Sequence, residues 1–227
     1  MDNRIRITSL MAAEKVAGQL VNTSKMPCKS WGISNEHCKT GQELAKIPGT
    51  VCSQCYAKRG PIAWPHSRRR QAERLAGLER PEWVNAMVAL ISIEGNMFFR
   101  WFDSGDLQNA KHLEQIIQIA RLIPDIKFWL PTQERKLVKE VTEECFVPDN
   151  LTIRVTNTYI DDNMLSTEFK YSASVMRCKK KEWYSYYILN DQLIFYCPAD
   201  MNISNGACGA CRACWDKDIK HVVYRKK

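Results

Sequence analysis

The chain has 227 residues, 45% of them hydrophobic and 26% charged, which is enough apolar material for one substantial core and points to a single domain. No apolar run approaches the roughly 20 residues that span a bilayer, so a membrane-embedded protein is excluded. The formal charge of +8 is spread along the chain, clustering only at 67–70, 178–181 and 224–227; a nucleic-acid partner is one reading of it and a solvated basic surface the other.

The first residues, "MDNRIRITSLMAAEKVAGQL", carry scattered charges and no continuous apolar segment, which argues against a secretory signal and for the cytoplasm. Disulfides do not persist in that compartment, so the ten cysteines read first as ligands of a metal or cluster. Residues 1–64 form an irregular cysteine-bearing segment without a sustained apolar period, and something other than a core must order them.

Residues 65–196 are regular. Helices are expected over 66–80 and over 81–95, the second with Trp83, Met87, Leu90 and Ile91 at helical spacing. A short aromatic strand at 97–102 precedes a helix within 106–124 whose Leu113, Ile116, Ile117 and Ala120 share one stripe. Then come a strand at 126–131, a polar helix at 133–145 and strands at 151–158, 171–178 and 192–197. Strands alternating with helices imply parallel pairing through right-handed connections. Five or six strands are too few for an eight-fold barrel, so an open or partial (β/α) barrel is expected, with cysteine-bearing segments at its ends, the second being 197–227.

In "NGACGACRACW", Cys208, Cys211 and Cys214 stand two residues apart, with Cys197 upstream. Two-residue gaps let thiolates converge on one centre, as in ferredoxin runs that ligate a [4Fe-4S] cube with a remote fourth cysteine, here Cys197. Zinc on four cysteines is the competing reading. The N-terminal set is Cys28, Cys38, Cys52 and Cys55, of which only the last two have the short gap. A metal there would supply the ordering energy the segment lacks, and zinc is a stronger competitor than at the C-terminus. Cys145 and Cys178 stand alone and read as core. His37, His66, His112 and His221 have no metal-spaced partner, no phosphate loop, dinucleotide fingerprint or nucleophile elbow occurs, and no catalytic residue identifies itself.

The motifs "KMPCKSW", "GTVCSQCYAKRG", "FFRWFDSGDLQ", "KFWLPTQE" and "CGACRACW", in this order, resemble the gene-product-eighty-eight family of small bacteriophage proteins, which implies the host cytoplasm. More distantly, "CSQCYA" is similar to the end of the cluster loop in radical S-adenosylmethionine enzymes. That likeness implies a [4Fe-4S] cube on Cys38, Cys52 and Cys55 whose open iron binds the cofactor. It departs from that pattern in the thirteen residues between Cys38 and Cys52, and Cys28 would, as a fourth thiolate, close the cluster. The turn "DSGD" (Asp103, Ser104, Gly105, Asp106) sits where such enzymes bind the cofactor's ammonium group; a helix cap by Ser104 or Asp106 is the plainer reading. Thr132, Gln133, Arg154 and Asn157 would line the same strand ends, and Arg154 needs an acidic partner or an anionic ligand if it is buried.

Three functions follow as expectations: a redox or radical enzyme with one or two [4Fe-4S] clusters, an electron donor and an unidentified small-molecule or macromolecular substrate; a non-catalytic iron-sulfur protein for electron transfer or redox sensing; and a zinc-stapled nucleic-acid-binding protein.

Overall fold

A computed structural model of the chain describes residues 9–162, 165–177, 186–189, 192–201 and 206–226. Strands β1 (Ser30–Trp31), β2 (Phe98–Trp101), β3 (Lys127–Thr132), β4 (Leu151–Ile160), β5 (Ser172–Met176), β6 (Tyr186–Leu189), β7 (Gln192–Tyr196) and β8 (His221–Arg225) make one open sheet, ordered β1-β2-β3-β4-β5-β8-β7-β6. Every described neighbour pair is parallel except β6 with β7. The α/β fold with parallel strands expected from the alternation is therefore the fold found.

Both faces of the central strands are covered, which explains why they read as apolar runs with few breaks. One face carries Phe99, Trp101, Phe128, Leu130, Leu151, Ile153 and Val155 into the main core. Helices α1 (Leu10–Ala17), α4 (Trp83–Ile93), α5 (Ala110–Leu122) and α6 (Arg135–Glu144) bury their apolar residues in that core. Trp31, Trp83 and Trp101 meet there with centroids 5.4–6.0 Å apart, contacts worth about 0.5–1.5 kcal/mol each beyond area burial.

The other face carries Phe98, Trp129 and Val222, packed against the cysteine segment around 207–219. In a flat sheet β3 and β8, three strand spacings apart, would lie about 14 Å from each other. Yet the rings of Trp129 and Tyr224 stack with centroids 6.2 Å apart. The sheet is therefore strongly curled, and the C-terminal cysteine run fills its concave side.

Several elements depart from the expectation. The segment before residue 65 contains α1, with Ser9 accepting from the backbone N–H of Ala12, and the short α2 (Lys39–Leu44). Strands β1 and β8 join the sheet as well. Helix α5 starts at Ala110 because Asn109 accepts from the His112 N–H at 2.8 Å, so neither Ser104 nor Asp106 caps it. Helix α3 (Pro65–Leu78) begins where the regular pattern does. Cys178 lies outside the described residues.

Candidate functional site

The loop between β1 and α3 runs across the carboxyl ends of the parallel strands, where ligands of open α/β sheets gather. The ends of β1 to β4 hold it. After β1, the Ile33 N–H donates to Ser104 O at 3.0 Å, and the Tyr56 hydroxyl donates to Asp103 O, so the loop is fastened to the turn after β2. Beyond β3, Glu134 accepts from the Thr40 N–H at 2.9 Å and from the Thr40 hydroxyl at 2.7 Å. At the end of β4, the Val51 N–H donates to Thr158 O and Ile160 N–H to Gly49 O, both at 2.9 Å. Gln108 reaches His37 O at 3.1 Å, beside Cys38.

These fastenings bring Cys38, Cys52 and Cys55 together. A Cβ built on Gly41 would lie 3.7 Å from the sulfurs of both Cys38 and Cys52 and 2.8 Å from the Cβ of Cys38, so only glycine leaves the space between the two thiols. Burial pushes the Cys38 thiol well up, reinforced by Asp106, Cys55, Cys52 and Glu134. Burial likewise pushes Cys52 up to about 12, with Cys55 and Asp106 adding to it. Thiols so crowded by one another and by acids ionise only with a compensating cation at hand.

Beneath them lies the turn after β2. Phe102 has φ 52, in the left-handed region that bulky residues avoid, so the backbone is strained where it leaves the strand. Gly105 has φ 82, and a Cβ there would fall 2.3 Å from Ile33 Cγ1; the close approach it permits is to the cysteine loop. Asp106 is buried, with Oδ1 accepting from the Thr132 hydroxyl at 2.5 Å and the Leu107 N–H at 2.8 Å, and Oδ2 from the Gln133 N–H at 2.8 Å. Its burial lifts its carboxyl to about 7 despite those bonds. It ties β2 to β3. Asp103 differs: its Oδ1, like Ser104 Oγ and Gln133 Oε1, is buried without a hydrogen-bond partner. Burial pushes Asp103 up, opposed by Arg100 and Arg74. Asn157 donates to Asp162 O at 3.0 Å, and its own carbonyl accepts from Gln133 Nε2 at 3.3 Å.

Cys28 is not with this group. It lies on the concave face with Cys211 and Cys214, in a cluster that includes Trp129, Trp215 and Val222. The segment is wound around Arg154, 0% exposed on β4. That guanidinium donates to the carbonyls of Ala213, Cys214, Asp216 and Ile219 at 2.7–2.9 Å and of Lys220 at 3.5 Å. Backbone carbonyls thus take the role expected of an acidic partner or anionic ligand. Cys197 follows β7, its N–H donating to Val223 O at 2.9 Å.

Arg100 stands between the two groups. Its guanidinium lies 4.6 Å over the Trp129 ring, 3.4 Å from the Tyr56 hydroxyl and 3.6 Å from Met26 Sδ. Sequence reasoning missed it, although a cation inside the aromatic run "FFRWF" was a signal of the same kind as Arg154. Glu134, Thr40 and Tyr56 were missed too, since nothing local marks them.

The Gene product 88 family matches residues 6–217. The chain belongs to the Gene product 88 family. Comparison with curated proteins and with solved structures gives no match. Among the described residues of this Gene product 88 protein, no group of three or more histidine, cysteine, aspartate or glutamate side chains forms a set able to hold a metal ion. Among the same residues no helix is long and apolar enough to cross a membrane.

Proposed function

We propose that the sheet mouth of this Gene product 88 protein binds a [4Fe-4S] cluster through Cys38, Cys52 and Cys55 and uses it with S-adenosylmethionine for radical chemistry on a further substrate. The observation that carries this reading is the number of thiols: three share the mouth, while Cys28, the residue able to close the cluster, packs on the concave face. Three thiolates leave one iron of a cube open.

The surroundings fit the cofactor's charge. Asp106 and Glu134 are the acids that bear on the Cys38 thiol, so the mouth favours a cationic ligand such as a sulfonium with an ammonium group. Asp103 Oδ1, Ser104 Oγ and Gln133 Oε1 are acceptors without partners, suited to an ammonium or a ribose hydroxyl. Held by Cys38, Cys52 and Cys55, the cluster would supply one electron, drawn from an external low-potential donor, for reductive cleavage of a carbon–sulfur bond of S-adenosylmethionine. The chain's own residues hold the loop over the strand ends, through Thr40–Glu134, Tyr56–Asp103 and Val51–Thr158.

The test is anaerobic reconstitution with iron and sulfide, reduction, and addition of S-adenosylmethionine. The expected result is a changed electron paramagnetic resonance spectrum of the reduced cluster and release of 5′-deoxyadenosine; an unaltered spectrum with no nucleoside product overturns the reading.

A further inference from the structure

The regrouping of Cys28 defines a second centre that is independent of the mouth. We infer that Cys28, Cys208, Cys211 and Cys214 together ligate one closed [4Fe-4S] cluster on the concave side of the sheet, with Cys28 rather than Cys197 as the fourth ligand. This goes beyond the proposed function and does not depend on it.

Three observations carry the assignment. The two ends of the chain are bonded at the site: the Cys208 N–H donates to Lys25 O at 2.8 Å, and the Cys208 sulfur lies 3.9 Å from Met26 Sδ, both just before Cys28. Cys28, Cys211 and Cys214 belong to one packed cluster, closed off by Trp129, Trp215 and Ile219. The backbone bends tightly at the run itself, with Gly209 at φ 52.

Charge gives a fourth. Arg100 and Arg212 are the guanidinium groups that bear on Cys28, and Cys208 and Cys214 the thiols that do. The Cys214 sulfur lies 3.2 Å from the Tyr224 hydroxyl, with Arg154, Cys208 and Cys211 bearing on it. Arg100 and Arg212 are held over the rings of Trp129 and Phe98 at 4.6 and 5.0 Å. Thiols ringed by guanidinium groups match a four-thiolate cluster, whose net charge is negative. Cys197 lies at the end of β7, its N–H bonded to Val223 O, and bears on Tyr224.

The experiment uses the full chain, reconstituted without oxygen, with Cys38, Cys52 and Cys55 all replaced by alanine so that only the second centre is read. One cube's worth of iron and sulfide is expected to remain. Adding Cys28→Ala or Cys208→Ala should remove it, while Cys197→Ala leaves it. Circular dichroism checks that each variant folds, and the reduced spectrum of Cys28→Ser in a folded chain gives a second reading through its altered ligand field. Iron retained in folded Cys28→Ala and lost in Cys197→Ala overturns the assignment, as does zinc in place of iron after reconstitution. Failure at the mouth alone would leave the wild type with one cube's worth that depends on Cys28, so the two readings fail separately.

Discussion

Replacing Arg154 with methionine removes the group around which the C-terminal cysteine segment is wound. Four carbonyls, those of Ala213, Cys214, Asp216 and Ile219, accept from it at 2.7–2.9 Å, and Lys220 O lies at a marginal 3.5 Å. At a net worth of about 1 kcal/mol per bond, a value that already counts desolvation, the four short bonds sum to about 4 kcal/mol. A typical domain has about 5–15 kcal/mol in all, so the chain should stay folded while the segment 207–220 loosens. Methionine keeps part of the buried stem, so the loss reports the bonds more than a cavity. Urea unfolding measures the total, and hydrogen exchange at the segment's amides measures its local share. Arg154→Lys offers three donors in place of five and should recover about half of the loss. A change below about 1 kcal/mol in Arg154→Met, with the segment's exchange unaltered, would refute the view that these bonds hold it.

Three further outcomes are expected. Gly41→Ala would gain about 1 kcal/mol from helix propensity in α2 alone, but its Cβ would meet Cys38 Cβ at 2.8 Å, and overpacking of that kind costs about 1–3 kcal/mol. The variant should therefore melt no higher than the wild type and fail to load iron at the mouth; a more stable protein with full iron refutes the packing argument. Asp103→Asn keeps the shape of the turn and removes a buried charge, so cluster content should hold while the spectral response to S-adenosylmethionine weakens roughly tenfold in affinity, the equivalent of about 1.4 kcal/mol; titration followed by electron paramagnetic resonance measures it, and an unchanged affinity contradicts the role given to Asp103. His221 is buried between Ser172 Oγ at 2.7 Å and Ser174 Oγ at 3.0 Å, and burial with nearby Arg154 pushes it from 6.5 down to about 4. The fold holds the neutral ring, so its contribution is complete above pH 6.5 and is lost as pH falls from there toward 4, about 2 kcal/mol between pH 7 and 5. Denaturant melts of His221→Gln should show a pH profile flatter by that amount, and an unchanged difference curve rejects the shift.

The regular half of the fold was legible because its cores are periodic. Leu113, Ile116, Ile117 and Ala120 form the buried stripe of α5, and the strands beginning at 98, 127 and 151 occur where aromatic and β-branched runs stand. Strand β1 was hidden because it has two residues and exists through its partner, with the Phe102 N–H bonded to Trp31 O. Helix α1 was hidden because Ala13 and Ala17 are its only fully buried residues, small because Gly77 lets α3 approach to where a Cβ would touch Val16 O. At the candidate site, the spacing of Cys52 and Cys55 and the turn 103–106 pointed to segments that the fold brings together at the strand ends. The distribution of thiols was not legible, since sequence distance joins Cys28 to Cys38 while the curl of the sheet brings it to Cys208. Asp106 was legible as important and not as structural, because its bonds to Thr132 and Gln133 come from another strand.

The most direct test of the account is a count of iron, acid-labile sulfide and zinc per chain on wild-type protein purified and reconstituted without oxygen, set beside the Cys38/Cys52/Cys55 triple alanine variant. The account predicts two cubes' worth of iron and sulfide in the wild type, one in the variant, and zinc in neither. Zinc without iron, or an iron content that the triple variant leaves unchanged, would contradict it.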